Sequence, residues 1–219
     1  MRLHSHQREV PPVTVIMPAY NRAATIVRAI RSLCRQTWTD FECIIVDDGS
    51  TDETGARAQR CIGGDPRFHF LRQDENCGVG PAAALGAQRA RGTWLTRLDS
   101  DDEYLPEHLA LRLAHVQAHP QADFLYGTML VRNGPDHVPD FYGGPPIPVS
   151  ASSQGATTFL RRSAYARLGG WAPVRFGEDA LLFAKARKAG IAMQRVPYAT
   201  YVYYRDTENA LTRNWNAIS

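Results

Sequence analysis

Three carboxylates fall within four positions at Asp99, Asp101 and Asp102, in the run Thr96-Arg97-Leu98-Asp99-Ser100-Asp101-Asp102. Trp94 and Leu95 precede them, so the acids stand at the end of an apolar-rich stretch that reads as a buried strand. Crowded carboxylates repel one another, which costs stability unless something positive sits among them. Hard divalent cations prefer carboxylate oxygens, and Mg2+ or Mn2+ is commonly held by one or two of them, with phosphate oxygens and water completing the shell. Asp99 and Asp101 suit that chemistry. Asp also caps helices, and a helix begins after Pro106, but three acids exceed what one cap requires.

Two further acidic groups carry the same ambiguity. In DDGSTDET, Asp47 and Asp48 stand at a strand end, where they can hydrogen-bond a nucleobase or ribose, while Ser50, Thr51 and Asp52 read as turn and capping residues. Glu178 and Asp179 open a helix about eighty residues after the first cluster. Acids are stabilised at a helix N-terminus, so a structural role suffices for them. A general base must nevertheless come within hydrogen-bond reach of a reacting hydroxyl, and Asp179 is the best candidate outside the acidic cluster.

Other patterns lead away from common chemistries. GVGPAA, from Gly78 to Ala83, matches part of a dinucleotide-binding fingerprint, but RQDENC separates it from the preceding strand and two strand-helix units already precede it. There is no Walker-type phosphate loop, no HExxH metal pattern and no GxSxG nucleophile elbow.

The elements that position these residues alternate. Strands are expected at Val13–Met17, closed by Pro18, then at Phe41–Val46, Arg67–Leu71 and Trp94–Leu98. Helices are expected from an Asn21 cap through Ile26, Ile30 and Leu33, over Glu53–Cys61 and Pro81–Arg91, and after Pro106. This alternation predicts an α/β fold with a mostly parallel sheet, whose ligands bind beyond the carboxyl ends of the strands. PAYN, DDGS and DSDD then share one rim. The second half predicts a strand over Phe124–Val131 and a long irregular loop over 133–150, with Phe141 and Tyr142 covering substrate. A short helix near Ser163–Leu168 follows, then a Gly169-Gly170 break, a helix from Glu178, and strands at Met193–Val196 and Thr200–Tyr204. A polar leader over 1–12, one domain over 13–204 and a tail over 205–219 complete the expected organisation, with a nucleotide half to about 102 and an acceptor half beyond.

The 219 residues are 44% hydrophobic and 21% charged with a net charge of +3, which is globular and too weakly basic to point to nucleic acid. Cys34, Cys43, Cys61 and Cys77 form no CxxC pair, so reduced structural thiols are expected. Neither a signal peptide nor a spanning apolar run occurs, which places the expected protein in the cytoplasm or peripherally at the inner membrane face.

Four ordered segments, VTVIMPAYNRAATIVRAIRSLCRQTWTDFECIIVDDGSTDET, NCGVG, ARGTWLTRLDSDDEYLPEHL and FLRRSAYARLGGWAPVRFGEDALLFAKA, strongly resemble the family 2 glycosyltransferases of the GT-A fold. The resemblance runs from about Val13 to Arg187. It implies a Rossmann-like GT-A domain that joins a sugar from a nucleotide-sugar, UDP-linked by preference, to an acceptor with inversion. It also implies a nucleotide site at Pro18, Ala19, Tyr20, Asp48, Gly78 and Asp99, a Mn2+ or Mg2+ cofactor on Asp101 and Asp99, and Asp179 as catalytic base. Asp102 would support the metal loop or cap a helix, and Gly169, Gly170 and Trp171 would face the acceptor. That divalent ion would be the positive counterpart of the acids. GPAAALGAQ stands where the family often has Ala-Arg-Asn, so the donor contacts expected there are missing. The absence of Q-x-x-R-W after the acid pair, with no membrane segment, argues against a processive synthase. A sugar, lipid-linked sugar or small-molecule acceptor is expected, with a homo-oligomer or partner subunit completing its site. The competing expectations are a sugar nucleotidyltransferase, which would open on a Gly-rich basic loop, and a silent nucleotide-sugar-binding module, which would lack the base.

Overall fold

The computed structural model describes residues 10–138, 144–148, 157–175 and 177–205. Four parallel strands form one side of the main sheet: β1 (Val13–Ala19), β2 (Phe41–Asp47), β3 (Phe68–Arg72) and β4 (Trp94–Arg97). Three strands extend the sheet past β4: β6 (Phe124–Tyr126), β10 (Phe159–Arg161) and β11 (Met193–Arg195). The order is β11-β6-β10-β4-β1-β2-β3, with β10 antiparallel to both neighbours. The expected α/β architecture with a mostly parallel sheet is therefore present.

β1 and β2 are buried throughout because both faces are covered, which is why they read as continuous apolar runs. Val13, Val15 and Met17 enter one core with Ile26, Ile30 and Leu33 of α1 (Ile26–Cys34) and with Ala58 of α2 (Thr54–Ile62). Ile16 enters the opposite core with Ala82, Ala83 and Ala87 of α3 (Val79–Arg89) and with Leu182 and Phe183 of α6 (Glu178–Lys188). The small residues of α3 let it lie directly on the sheet: a Cβ on Gly86 would stand 2.7 Å from Ile16 Cγ2.

β1 runs through Pro18 to Ala19, one turn of the pleat beyond the expected end. Trp94 N–H donates to Pro12 O and Leu98 N–H to Ile16 O, so even-numbered residues of β1 face β4, and β4 ends at Arg97. The missing N–H of Pro18 therefore points where no ladder remains. α1 begins at Ile26 behind Thr25, not behind Asn21, which has φ 50 and serves the rim instead. The expected strand over Phe124–Val131 divides in two. β6 joins the main sheet, whereas β7 (Leu130–Arg132) joins β12 (Tyr201–Tyr204) and β5 (Glu103–Tyr104) in a second sheet. Within the expected irregular loop, β8 (His137–Val138) pairs antiparallel with β9 (Ile147–Pro148). Phe141 and Tyr142 lie outside the described residues. α4 (His108–Ala118) and the short α5 (Arg162–Arg167) complete the helices named here.

Candidate active site

The carboxyl ends of β1, β2 and β4 meet on one rim, as expected of parallel strands. The first two turns are stitched together: Asp48 N–H donates to Ala19 O (2.8 Å), Asn21 N–H to Ser50 Oγ (3.0 Å) and Thr51 N–H to Asn21 Oδ1 (2.9 Å). The left-handed backbone that Asn tolerates is what turns its side chain onto Thr51. Asp52 accepts from Thr54 N–H (2.9 Å) and Ala23 N–H (3.1 Å), so it ties the start of α2 to the turn before α1. Pro18 and Ala19 are buried, and Tyr20 is the exposed side chain of its turn.

Asp47 and Asp48 hold the rim from beneath. Asp47 meets Arg72 Nη1 at 2.6 Å. Asp48, fully packed away, accepts from Gly78 N–H (2.8 Å), Cys77 N–H (2.9 Å) and Gln73 Nε2 (3.0 Å). Those bonds fold residues 73–78 against β2, and Gly78 is fixed by the same carboxylate. The glycines of the GVG run serve close packing. A Cβ on Gly80 would stand 2.4 Å from Val174 O and 2.5 Å from Ala172 O, and one on Gly78 would stand 2.9 Å from Arg175 Cα. Residues 172–175 thus form a strap across the start of α3, fastened by Arg175 Nη2 donating to Asn76 Oδ1 at 2.9 Å.

The acidic cluster separates into members with different surroundings. Asp102 is completely buried and accepts from Tyr201 Oη (2.6 Å) and Tyr204 N–H (2.9 Å), which anchors the loop to β12. Burial, with Asp101 and Asp99 nearby, pushes its carboxyl well above the ordinary range. Asp101 meets Arg22 Nε at 3.2 Å, and its carbonyl accepts from Arg28 Nη2. Burial raises its carboxyl too, with Arg22 opposing and Asp99 adding to the rise. Asp99, the most open of the three acids, meets Arg97 Nε at 2.9 Å.

Arg97, nearly buried in β4, reaches a second acidic group as well. Its guanidinium contacts Glu178 Oε1 and stands 2.5 Å from Asp179 Oδ2. Trp171 Nε1–H donates to the other oxygen of Asp179 at 3.1 Å. Gly169 and Gly170, both at left-handed φ, turn the chain so that Trp171 can pack on Tyr165 and point at α6. Burial is the largest influence on Asp179 and lifts its carboxyl to about 8, with Arg97 lowering it and Glu178 and Asp99 raising it.

The residues expected from the sequence at one rim are therefore brought together, and so is the acid pair of α6. The acids also differ from expectation in one respect. Side chains of the protein itself, Arg22 and Arg97, stand as positive counterparts to them. A charge in a strand otherwise buried was the available signal for Arg97. One guanidinium against Asp99, Glu178 and Asp179 still leaves the cluster acidic when all three are ionised. Among the described residues no group of three or more His, Cys, Asp or Glu is arranged to hold a metal. Asp99, the most open acid of the cluster, and Asp101, which already meets Arg22 at 3.2 Å, would supply a hard ion with no more than two carboxylates, the rest of its shell coming from phosphate and water.

A central parallel sheet with one antiparallel strand and an acidic rim is the GT-A glycosyltransferase fold, and solved structures of that class superpose on this one. S. aureus TarS 1–349 in complex with UDP-GlcNAc has a TM-score of 0.76 at 24% identity, covering 90% of this chain and 59% of that one. The mannosyltransferase PcManGT of Pyrobaculum calidifontis, in complex with GDP-Man and Mn2+, has a TM-score of 0.70 at 22% identity, covering 94% and 59%. The glycosyl transferase family 2 model matches residues 14–143, more than half of the chain, and the protein belongs to that family. Among curated relatives, the putative colanic acid biosynthesis glycosyl transferase WcaA of Escherichia coli is 35% identical over 124 residues, 57% of this chain and 44% of its own length. The succinoglycan biosynthesis protein ExoO of Rhizobium meliloti is 41% identical over 110 residues, 50% of this chain and 31% of its own. The chain thus spans less than half the length of either relative. Among the described residues, no helix is long and apolar enough to cross a membrane.

Proposed function

We propose that the protein is an inverting glycosyltransferase that moves a sugar from a nucleoside-diphosphate-sugar, UDP-linked in the first instance, to an acceptor hydroxyl in polysaccharide or cell-envelope assembly. The observation that carries this reading is the shared guanidinium of Arg97, which sets the donor-side Asp99 and the base candidate Asp179 within one side chain of each other.

Asp179 has the attributes of a general base. Among the described residues each carboxylate oxygen is held by one side-chain donor, which leaves lone pairs to accept the hydroxyl proton, and the side chain keeps 15% of its surface open. As the acceptor oxygen bonds to the anomeric carbon, the bond from that carbon to the diphosphate breaks on the opposite face, and the proton passes to Asp179. Tyr20, exposed on the first turn, is placed to meet the nucleotide, while Asp48 and Gly78 shape the floor beneath it. Asp101 and Asp99 would hold Mn2+ or Mg2+, which supplies charge to stabilise the leaving diphosphate. UDP and UDP-GlcNAc in TarS, and GDP-Man with Mn2+ in PcManGT, support a nucleotide-sugar donor.

Thermal-shift measurements with UDP, UDP-GlcNAc, UDP-glucose and GDP-mannose, each with Mn2+, Mg2+ or chelator, test the reading. A ligand at about 100 times its Kd stabilises by about 2.7 kcal/mol, a readily measured rise in midpoint. A midpoint that no nucleotide raises under any metal condition would refute it.

A further inference from the structure

We infer that Arg97 is the positioning residue for the base, aligning Asp179 toward the acceptor and locking helix α6 to the donor loop; this rests on the glycosyltransferase reading above. Three features single it out. Its guanidinium is almost wholly enclosed, with 6% of the side chain exposed, so its contacts are not screened as surface ion pairs are. It engages three carboxylates from two distant stretches of chain: Asp99 in the loop after β4, and Glu178 and Asp179 at the start of α6. And its own strand is fixed independently of those acids, since Tyr104 Oη donates to Arg97 O (2.7 Å) and β4 pairs with β1 and β10.

The arrangement separates tasks among the carboxylates. Glu178, the more buried of the α6 pair, balances the guanidinium and anchors the helix start. Asp179 shares the same cation from the open side, with Trp171 Nε1–H fixing its second oxygen. Two donors on two oxygens leave the carboxylate no rotation, so the remaining lone pairs keep one direction. Among the described residues, the charged groups that bear most on Asp179 are Arg97 from β4, Glu178 from its own helix and Asp99 from the loop beyond β4. Arg97 is the sole cation among those three. Removing it therefore loosens the base and also makes it harder to ionise.

The test compares Arg97→Gln, Arg97→Lys and the neutral couple Arg97→Gln with Glu178→Gln, alongside Asp179→Asn. Turnover is read as UDP or GDP release from whichever of UDP-GlcNAc, UDP-glucose and GDP-mannose, with Mn2+, the wild type consumes. In Arg97→Gln, kcat should fall about 100-fold, with donor KM within about threefold and the rising limb of the pH-rate profile displaced to higher pH. Arg97→Lys, which keeps charge but cannot span three carboxylates, should recover part of kcat. If burial of unpaired acids unfolds Arg97→Gln, the neutral couple carries the same expected fall in kcat at unchanged donor KM, with a smaller displacement of the pH limb because the loss of Glu178 offsets the loss of Arg97. Wild-type kcat with an unmoved pH profile, in either folded variant, would overturn the inference. Loss of kcat and donor affinity in equal measure would overturn it too, as the mark of a general collapse of the site. If Asp179→Asn is inactive while Arg97→Gln is not, only this inference fails; if Asp179→Asn is fully active, the base assignment fails and takes the inference with it. A wild type that consumes none of the three donors would overturn both.

Discussion

Gly80→Ala changes no charge and touches no candidate ligand, yet the strap over α3 makes it a perturbation of the proposed base. The added Cβ would lie 2.4 Å from Val174 O and 2.5 Å from Ala172 O, where carbon-oxygen contacts normally start at about 3.3 Å. Residues 172–175 must therefore withdraw by about 0.9 Å, because a helix packed on β1 cannot. Overpacking of this kind costs up to about 3 kcal/mol, and the helical preference of Ala over Gly returns about 1. A net loss of about 2 kcal/mol lowers Tm by about 4–8 °C in a chain of this size. Trp171, which donates to Asp179, directly precedes the strap, and a displacement near 1 Å in a positioning element costs about 100-fold in rate. Gly64→Ala is the matched control: at φ +85 it costs about 1–2 kcal/mol, but nothing lies within 4 Å and it sits at the opposite end of the sheet. Turnover per folded molecule should collapse in Gly80→Ala and persist in Gly64→Ala. Unchanged Tm and turnover in Gly80→Ala would refute the packing argument, and equal turnover in the two variants would refute its link to the base.

Asp101→Asn should abolish the Mn2+ dependence of donor binding while leaving the fold intact, because Asp102 rather than Asp101 anchors the loop to β12; calorimetry of UDP with and without Mn2+ checks this. The pH-rate profile gives an independent reading of Asp179. A carboxyl lifted to about 8 is ionised only in a minority of molecules at neutrality, so turnover should rise about tenfold between pH 6 and 7 and level off above about 8. A profile flat from pH 5 upward would mean that an ordinary carboxylate, or none, takes the proton.

The sheet was readable from the sequence because β1, β2 and β4 are buried on both faces and appear as apolar runs bounded by polar turns. The rim was readable for the same reason, since parallel strands send their following turns to one edge. β10 was not, and neither was the pairing of β12 with β5 and β7 into a second sheet, although the strand at Thr200–Tyr204 itself was expected. Phe159–Arg161 is only three residues long and adjoins a helix, and Glu103–Tyr104 becomes a strand only because β12, a hundred residues later, pairs with it. Asn21 looked like a cap because its residue type favours caps, whereas its left-handed backbone spends the side chain on Thr51. Arg97 was visible but silent. Spacing showed three acids in need of a cation, and only the fold shows that a strand residue two positions earlier meets Asp99 while also reaching α6.

Asp179→Asn, assayed for donor affinity and for turnover on the same preparation, tests the central claim most directly. With the donor selected by thermal shift and Mn2+, Kd should stay within about threefold of wild type while turnover falls about 1,000-fold, since a general base contributes about 10²–10⁴. Turnover at the wild-type level with the fold intact would contradict the account.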